Sequence, residues 1–205
     1  MHIVDGALAG EVVIGGAVLA AGGIALGLRH LPLERIPAAG VLSAAFFVAS
    51  LVHVPVGPSS VHLILNGLAG LVLGWAAFPA LFVGLLLQAV FFGFGGLTVL
   101  GVNTVAIALP AVIVHYLFRR GVTQGAPLSA AIWAGMGGAL AIALTAGAVG
   151  AALALSGAGF VPAAKLVLVA HVPVMAIEGV LTATAVYLAA QVKPDLFDTL
   201  KGRSA

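Results

Sequence analysis

The sequence predicts an all-α integral membrane protein, and three observations carry this prediction. Hydrophobic residues make up 62% of the 205 residues, charged residues only 7%, and the mean hydropathy is +1.26. Soluble domains carry about 25% charged residues, so this composition excludes a soluble protein. Residues 36–118 contain no Asp, Glu, Lys or Arg, which leaves room for about four spanning helices of roughly 20 apolar residues each. The absence of cysteine excludes disulfides and thiolate metal sites.

Short breaks rich in glycine, proline or charge divide the chain into seven apolar segments. We predict a bundle of seven transmembrane helices that forms a single domain over residues 1–205. The segments cover residues 7–28, 38–54, 61–75, 78–94, 104–118, 128–155 and 164–191. The third segment is short for a spanning helix, which indicates that it is tilted or partly re-entrant.

The basic residues set the predicted orientation. Seven spans with the N-terminus outside and the C-terminus in the cytoplasm place seven of the eight basic residues on the cytoplasmic side, as the positive-inside rule requires. These residues are Arg29, Arg35, Arg119, Arg120, Lys193, Lys201 and Arg203. Because they sit in short loops and form no basic patch, we expect no nucleic-acid binding.

The first two residues form a candidate metal chelate. The Met1 amine, the His2 amide nitrogen and His2 Nδ1 can close two fused rings around one ion, with three nitrogens nearly in a plane. Such a field suits Ni²⁺ or Cu²⁺, and Co²⁺ less well, but not Mg²⁺ or Ca²⁺. The chelate requires a free amine on a retained Met1. We therefore expect no cleavable leader, and Asp5 stands where a signal peptide would carry basic residues.

His62 is the candidate for the fourth corner of this plane. It opens the third segment after the loop at residues 55–60, which the predicted topology places on the same side as Met1. A neutral imidazole at His62 would complete the set of nitrogen ligands. The alternative is a structural histidine that is buried and bonded to a backbone carbonyl.

Three further polar residues are candidates for supporting or closing the site. Asn66 lies one helical turn after His62, Asn103 lies in the exterior loop before the fifth segment, and Asp5 follows the chelate. Their side chains are of the kind that orient a ligating imidazole. The alternatives are amides bonded to the backbone for the two asparagines and a helix N-cap for Asp5.

Several other residues leave their roles open. His53 is a candidate for an additional ligand on the exterior side, with a structural role as the alternative. His171 and Glu178 share one face of the last segment and form either a proton or ion relay or a set of helix-to-helix hydrogen bonds. Ser59, Ser60 and His62 are the residue types of a serine hydrolase, but they crowd one loop and lack its sequence frame.

Three motifs resemble those of the CbiM/NikM family, the substrate-binding membrane components of energy-coupling factor transporters for cobalt and nickel. They are MHIVDG at residues 1–6, GPSSVHLILNG at residues 57–67 and FGGLTVLGVNT at residues 94–104. The resemblance runs through essentially the whole chain. It implies a six-helix core with one added N-terminal helix, and an ion held by Met1, His2 and His62 with the loop around Asn103 closing the site.

The resemblance also implies a function and partners. It predicts a non-enzymatic substrate-binding domain of an ATP-driven metal importer in the prokaryotic inner membrane. The expected partners are a transmembrane coupling subunit, two cytoplasmic ATPases and a small membrane companion. We expect Ni²⁺ as the cargo, with Co²⁺ linked to cobalamin biosynthesis as the alternative. Cobalt-linked members more often carry Glu where this chain has Asp5, and Ser-His-Pro where it has Val61-His62-Leu63. A stand-alone metal channel or permease is the alternative from another class.

Overall fold

The computed structural model describes residues 2–51 and 53–192, and this part of the chain is mostly helical. A β-hairpin separates its second and third α-helices. The elements are α1 (Gly10–Arg29), α2 (Ile36–Ala49), β1 (His53–Val56), β2 (Ser59–His62), α3 (Asn66–Leu73), α4 (Ala77–Phe92), α5 (Leu100–Gln124), α6 (Pro127–Leu155), α7 (Val161–Ala170) and α8 (Val172–Val192). Four residues used in the predictions above lie outside the described residues: Met1, Lys193, Lys201 and Arg203.

Five helical stretches in the described residues are long and apolar enough to cross a membrane. They are Gly10–Arg29, Asn66–Phe92, Leu100–Gln124, Pro127–Leu155 and Ala158–Val192. The second of our predicted segments corresponds to α2, which has 14 residues and is short for a spanning helix. The third and fourth lie within one stretch that bends between α3 and α4. The number of seven spans and the orientation of the termini therefore stay predictions.

The β-hairpin corrects the predicted all-α fold between the second and third segments. Helix α2 ends at Ala49 rather than residue 54, and α3 begins at Asn66 rather than residue 61. Between them β1 and β2 pair antiparallel, with His53 opposite His62. Gly57, at φ +56°, supplies the positive φ that a two-residue hairpin turn favours. Because the hairpin residues are apolar, hydropathy alone assigned them to the ends of the neighbouring helices.

Helices α3 and α4 fold back on each other, so that both reach the same end of the bundle. The eight residues of α3 rise about 12 Å, and the stretch from Ala77 to Gln88 in α4 rises about 17 Å. The His2 ring nevertheless contacts both His62, just before α3, and Gln88, near the end of α4. Gly74, at φ +59° and ψ −127°, marks the bend between the two helices.

The arginines of the described residues lie at the end of the bundle away from His2. Helix α1 starts near His2 and runs about 30 Å to its last residue. Helix α5 runs beside it in the same direction, because Gly16 packs on Val102 while Leu26 and Leu109 border one groove further along. The arginines at the far end are Arg29, Arg35, Arg119 and Arg120. Their position agrees with the charge asymmetry that we used to predict the orientation.

Small residues let α3 pack closely in the centre of the bundle. A Cβ atom on Gly70 would lie 2.1 Å from the Ala111 carbonyl oxygen of α5. One on Gly67 would lie 2.6 Å from the Gly138 Cα of α6. Backbone contacts of this kind are typical of membrane helices, whose association depends on close packing rather than on exclusion of water. They hold α3 rigidly beneath the histidine pair.

Candidate metal centre

The two predicted ligand imidazoles lie face to face. The rings of His2 and His62 are stacked, with centroids 4.6 Å apart and 25° between their planes. His2 Nδ1 and His62 Nε2 are 3.1 Å apart. Both residues are 4% exposed, so neither ring is immersed in solvent. The structure thus brings His2 beside His62, as the predicted chelate requires.

Neighbouring groups determine the tautomer of each ring. Gln88 donates from Nε2 to Ser50 Oγ and the Phe47 carbonyl, so its Oε1 is the atom that faces His2 Nε2, at 2.6 Å. His2 Nε2 must therefore carry the proton, which leaves a lone pair on Nδ1. The Leu63 carbonyl lies 2.8 Å from His62 Nδ1, which by the same argument carries the proton and leaves a lone pair on Nε2.

Two nitrogens that these contacts leave unprotonated thus lie 3.1 Å apart, on rings inclined by only 25°. In these tautomers both nitrogens can serve as metal ligands. Metal–imidazole bonds of about 2.0–2.1 Å at right angles place neighbouring nitrogens about 2.8–3.0 Å apart. The pair is therefore close to the spacing of two adjacent corners of a planar metal site.

Burial keeps both rings neutral at physiological pH. Loss of hydration lowers the pKa of His2 from 6.5 to about 4, against the opposing hydrogen bond to Gln88, and nearby His53 lowers it further. The pKa of His62 also falls from 6.5 to about 4 through burial, with His171 adding to the shift and the Leu63 carbonyl opposing it. Neutral imidazole is the form that binds metal.

The peptide segment around His2 is fixed by the loop before α5 and by α5 itself. Asn103 Oδ1 accepts the Ile3 N–H at 2.9 Å, and its Nδ2 donates to the Ile3 carbonyl at 3.1 Å. Asp5 accepts from Thr98 Oγ1 at 2.5 Å and from the backbone N–H of Thr98 and Val99 at longer distances. Asn103 and Thr98 therefore hold the residues that follow His2, Ile3 and Asp5, in place.

Two glycines make this approach of the loop possible. Gly96 takes φ +127°, and a Cβ there would lie 2.0 Å from the Asp5 carboxyl carbon. Gly95 takes φ +75°, and a Cβ there would lie 2.8 Å from Asn103 Nδ2. Any side chain at either position would push the loop away from the N-terminal segment.

The contacts of the three supporting candidates are with backbone and hydroxyl groups. Asn103 bonds the Ile3 backbone, and Asp5 accepts the N–H groups of Thr98 and Val99, just before α5. Asn66 donates to the Ile107 carbonyl and to Thr145 Oγ1, both at 2.9 Å. Among the described residues these hydrogen bonds support the peptide segment and the helices around the imidazoles rather than the rings themselves. This agrees with the alternative for the asparagines, whereas the N-cap alternative for Asp5 is wrong, because Ala9 is the N-cap of α1 and no side chain caps that helix.

Sequence reasoning missed Gln88 and Ser60. Gln88 bonds the Phe47 carbonyl of α2, and its side-chain oxygen also fixes the tautomer of His2. Ser60 Oγ accepts the His2 backbone N–H at 3.4 Å, which places a hydroxyl beside the predicted amide ligand. The only sequence signal for Gln88 was its polarity in an apolar helix, and for Ser60 its proximity to His62.

A small cleft of about 170 Å³ leads to His2 from the surface of the bundle. His53, Ser59, Ser60 and Phe94 are among the residues that line it. The His53 ring packs edge-on against Phe94, with centroids 4.3 Å apart, and its Nδ1 lies 3.2 Å from the Leu51 carbonyl. The cleft therefore borders His2, one of the two candidate ligand rings.

The remaining titratable candidates lie elsewhere or bond the backbone. His171 Nδ1 lies 2.6 Å from the Val167 carbonyl, and Glu178 accepts the N–H groups of Ile64 and Leu65. His30 and His115 bond carbonyls nearer the arginine-rich end. Within the described residues no three His, Asp or Glu side chains converge to hold a metal. A complete site here therefore needs donors from the backbone or the amine.

Comparison with known proteins identifies the family. Residues 2–196 match the CbiM family, described as the cobalt uptake substrate-specific transmembrane region. A "Putative metal transport protein" of Haemophilus influenzae is 44% identical over 97% of both chains. The "Fused nickel transport protein NikMN" of Rhodobacter capsulatus is 37% identical over 47% of this chain and 30% of its own length.

The fold is also that of a solved protein. A crystal structure described as that of a transition metal transporter superimposes with a TM-score of 0.75 over the full length of both chains, at 24% identity. That similarity concerns the fold, whereas the family match covers nearly every residue of the sequence. The chain belongs to the CbiM family of cobalt uptake substrate-specific transmembrane proteins, and so is a membrane component for the transport of cobalt or nickel.

Proposed function

We propose that this protein is the subunit that captures Ni²⁺, or alternatively Co²⁺, for an ATP-driven importer of the energy-coupling factor type. The observation that carries the proposal is the 3.1 Å approach of His2 Nδ1 and His62 Nε2, with the other nitrogen of each ring next to a protein oxygen. Both rings are held in the tautomers that a shared metal requires. The family match supports transport of this class of ion.

The proposed ligands are four nitrogens. His2 Nδ1 and His62 Nε2 are two corners, and the His2 amide nitrogen and the Met1 amine are the others. Ser60 Oγ accepts from that amide in the ion-free protein, so the amide N–H already faces a polar group. Amide and amine must lose protons to bind, and affinity should therefore fall as the pH is lowered.

Nickel is the ion that we favour. Four nitrogens in a plane suit the low-spin d⁸ ion, whereas cobalt accepts additional ligands more readily. The similar proteins do not favour one metal, because the family description names cobalt and the Rhodobacter relative is named for nickel. The argument for nickel therefore rests on the donor set and on Asp5 and Val61-His62-Leu63 in this chain.

The remaining parts of the proposal concern topology and partners. We propose seven spans in the prokaryotic plasma membrane, with His2 on the exterior side and the C-terminus in the cytoplasm. The arginines at the end away from His2 support this orientation. A transmembrane coupling subunit and two cytoplasmic ATPases would supply the energy, with a small membrane companion beside them.

The test is metal binding by purified protein with a native N-terminus and a C-terminal tag. We expect one equivalent of nickel and an absorption band typical of a yellow square-planar complex. His62→Ala should weaken nickel binding about 100-fold or more, because each ligand of a four-ligand site supplies about 3 kcal/mol. An N-terminal extension that displaces the amine should do the same, while the thermal stability of the metal-free protein stays close to that of the unmodified one.

Other outcomes have clear meanings. Stoichiometric cobalt with little nickel would keep the importer and change the ion. Unchanged affinity in His62→Ala or in the extended protein would refute the four-nitrogen site. Metal uptake into liposomes by this chain alone, without ATPases, would favour a channel or permease instead.

A further inference from the structure

Glu178 of α8 is buried in the bundle and bonded to the backbone just after His62. Its side chain is 0% exposed. Oε1 accepts the backbone N–H of Ile64 and also that of Leu65, the latter at 2.9 Å. Oε2 lies 3.1 Å from the same Leu65 nitrogen. A buried carboxylate is costly in a membrane protein unless hydrogen bonds compensate for its lost hydration. Here the compensating donors belong to the turn that leads from β2 to α3.

This turn has a strained conformation. Leu65 is the one non-glycine residue with a positive φ in the described part of the chain, at φ 55° and ψ 20°. A left-handed conformation is unfavourable for an L-residue with a side chain, and it persists only where surrounding contacts impose it. The Glu178 carboxylate supplies such contacts directly, since it binds the N–H groups of Leu65 and of the residue before it.

The same turn determines how His62 points. Leu63, its first residue, provides the carbonyl that holds the proton on His62 Nδ1 and leaves Nε2 for the ion. Movement of the Ile64 and Leu65 peptides would carry this carbonyl with them. The chain of contacts therefore runs from Glu178 through the turn to the tautomer and direction of the His62 ring.

We propose that Glu178 is a positioning residue for His62 and makes the geometry of the ion site depend on α8. Helix α8 packs along α6, where Gly135 meets Gly179 and Gly138 meets Thr182. A displacement of α8 along this glycine-lined contact would draw Glu178 away from the turn and weaken the hold on the ion. This inference rests on the proposed function for the identity of the ligand, but not for the link between Glu178 and His62.

The test compares three variants. In Glu178→Ala we expect nickel affinity to fall about 10- to 100-fold, as for other groups that orient a ligating histidine. Glu178→Gln keeps an acceptor oxygen and should retain most of the affinity. Thr182→Val is the matched control on the same helix, because its buried hydroxyl has no hydrogen-bond partner in the described structure. It should bind nickel as the unmodified protein does.

Two further measurements separate positioning from general damage. In a double-mutant cycle, Glu178→Ala should cause no additional loss in a His62→Ala background, because the ring through which it acts is gone. In the metal-free protein, ¹⁵N-histidine NMR should show the Nδ1–H tautomer of His62 and a mixture of tautomers in Glu178→Ala. The His62→Ala spectrum assigns the signal.

The outcomes distinguish the two proposals. Equal loss in both backgrounds, or an unchanged His62 tautomer in Glu178→Ala, would overturn the positioning role. If the unmodified protein bound no nickel, the proposed function would fail, and the tautomer measurement would still decide the role of Glu178. Loss of affinity confined to proteins that contain His62, together with the tautomer change, supports it.

Discussion

The two imidazoles of the candidate site are held in different ways. His2 is fixed by groups that are far away in sequence: Gln88 of α4 holds its ring, Ser60 its N–H, and Asn103 the peptide that follows. His62 is fixed by the carbonyl of the next residue and by Glu178 behind the turn. His2 thus belongs to the segment before α1, which contacts with distant residues hold in place, whereas His62 belongs to a hairpin packed in the bundle.

The two histidines should therefore differ in mobility. A segment outside the helices gains order only through the contacts that hold it. We expect the segment containing His2 to detach while the hairpin containing His62 stays in place. Binding of an ion between the two rings would then close the site by fixing the N-terminal segment.

The largest expected effect concerns a property that the two histidines share. Both have a pKa lowered from 6.5 to about 4, so the folded protein keeps them neutral where the unfolded chain binds protons. Stability of the metal-free protein is therefore fully present above pH 6.5 and is lost as the pH falls toward 4, by up to about 3 kcal/mol per histidine. Thermal unfolding in detergent from pH 7 to 4.5 measures it.

Single substitutions should divide this pH dependence between the two residues. His2→Ala and His62→Ala should each remove about half of the slope. If the N-terminal segment detaches before the bundle unfolds, His2→Ala should have little effect on global unfolding, and the loss with pH should follow His62 alone. A slope unaffected by either substitution would refute the assignment to these rings.

A smaller effect should follow from breaking the contact that holds the His2 ring. Gln88→Leu removes the acceptor for His2 Nε2–H and allows the ring to turn. We expect nickel affinity to fall about 10- to 100-fold, or about 1.4–2.7 kcal/mol. Ser50→Ala is the control, because it removes a partner of Gln88 while leaving the contact with His2. Equal losses in the two variants would show that packing, not the tautomer, matters.

The smallest effect should come from the loop that holds the peptide segment beside His2. Gly96→Ala would place a methyl group against the Asp5 carboxylate and force the loop and N-terminal segment apart. We expect about tenfold weaker binding, or about 1.4 kcal/mol, through faster dissociation of the ion. Gly93→Ala is the matched control, since its Cβ would meet nothing within 4 Å although its φ is also positive. Stopped-flow chelation of loaded protein measures the dissociation rate.

The meeting of His2 and His62 could be predicted from the sequence for a topological reason. When apolar helices cross a bilayer, every connecting loop must lie at one of the two faces of the membrane. Counting segments placed the N-terminus and the loop before residue 61 at the same end, and the two rings are in contact there. The prediction needed no knowledge of helix rotation, because both histidines lie in connecting segments.

The roles of Gln88 and Glu178 could not be predicted in this way. Each is a lone polar residue in an apolar helix, and its partner depends on the rotation and depth of that helix. One residue changes the direction of a helical side chain by about 100°, so errors of a few residues in boundaries remove this information. The hairpin was missed because hydropathy does not distinguish apolar strands from the ends of apolar helices.

The short helix α3 has a consequence for the barrier that an ion faces. It spans about 12 Å, while the hydrocarbon layer of a bilayer is about 30 Å thick. At its lower end the Arg35 guanidinium donates to the Val72 carbonyl, and the His115 ring lies beside the bend at Gly74. The helix between the histidine pair and this guanidinium is therefore less than half as long as the hydrocarbon layer is thick, and an ion leaving the site would pass one short helix before it met a fixed positive charge.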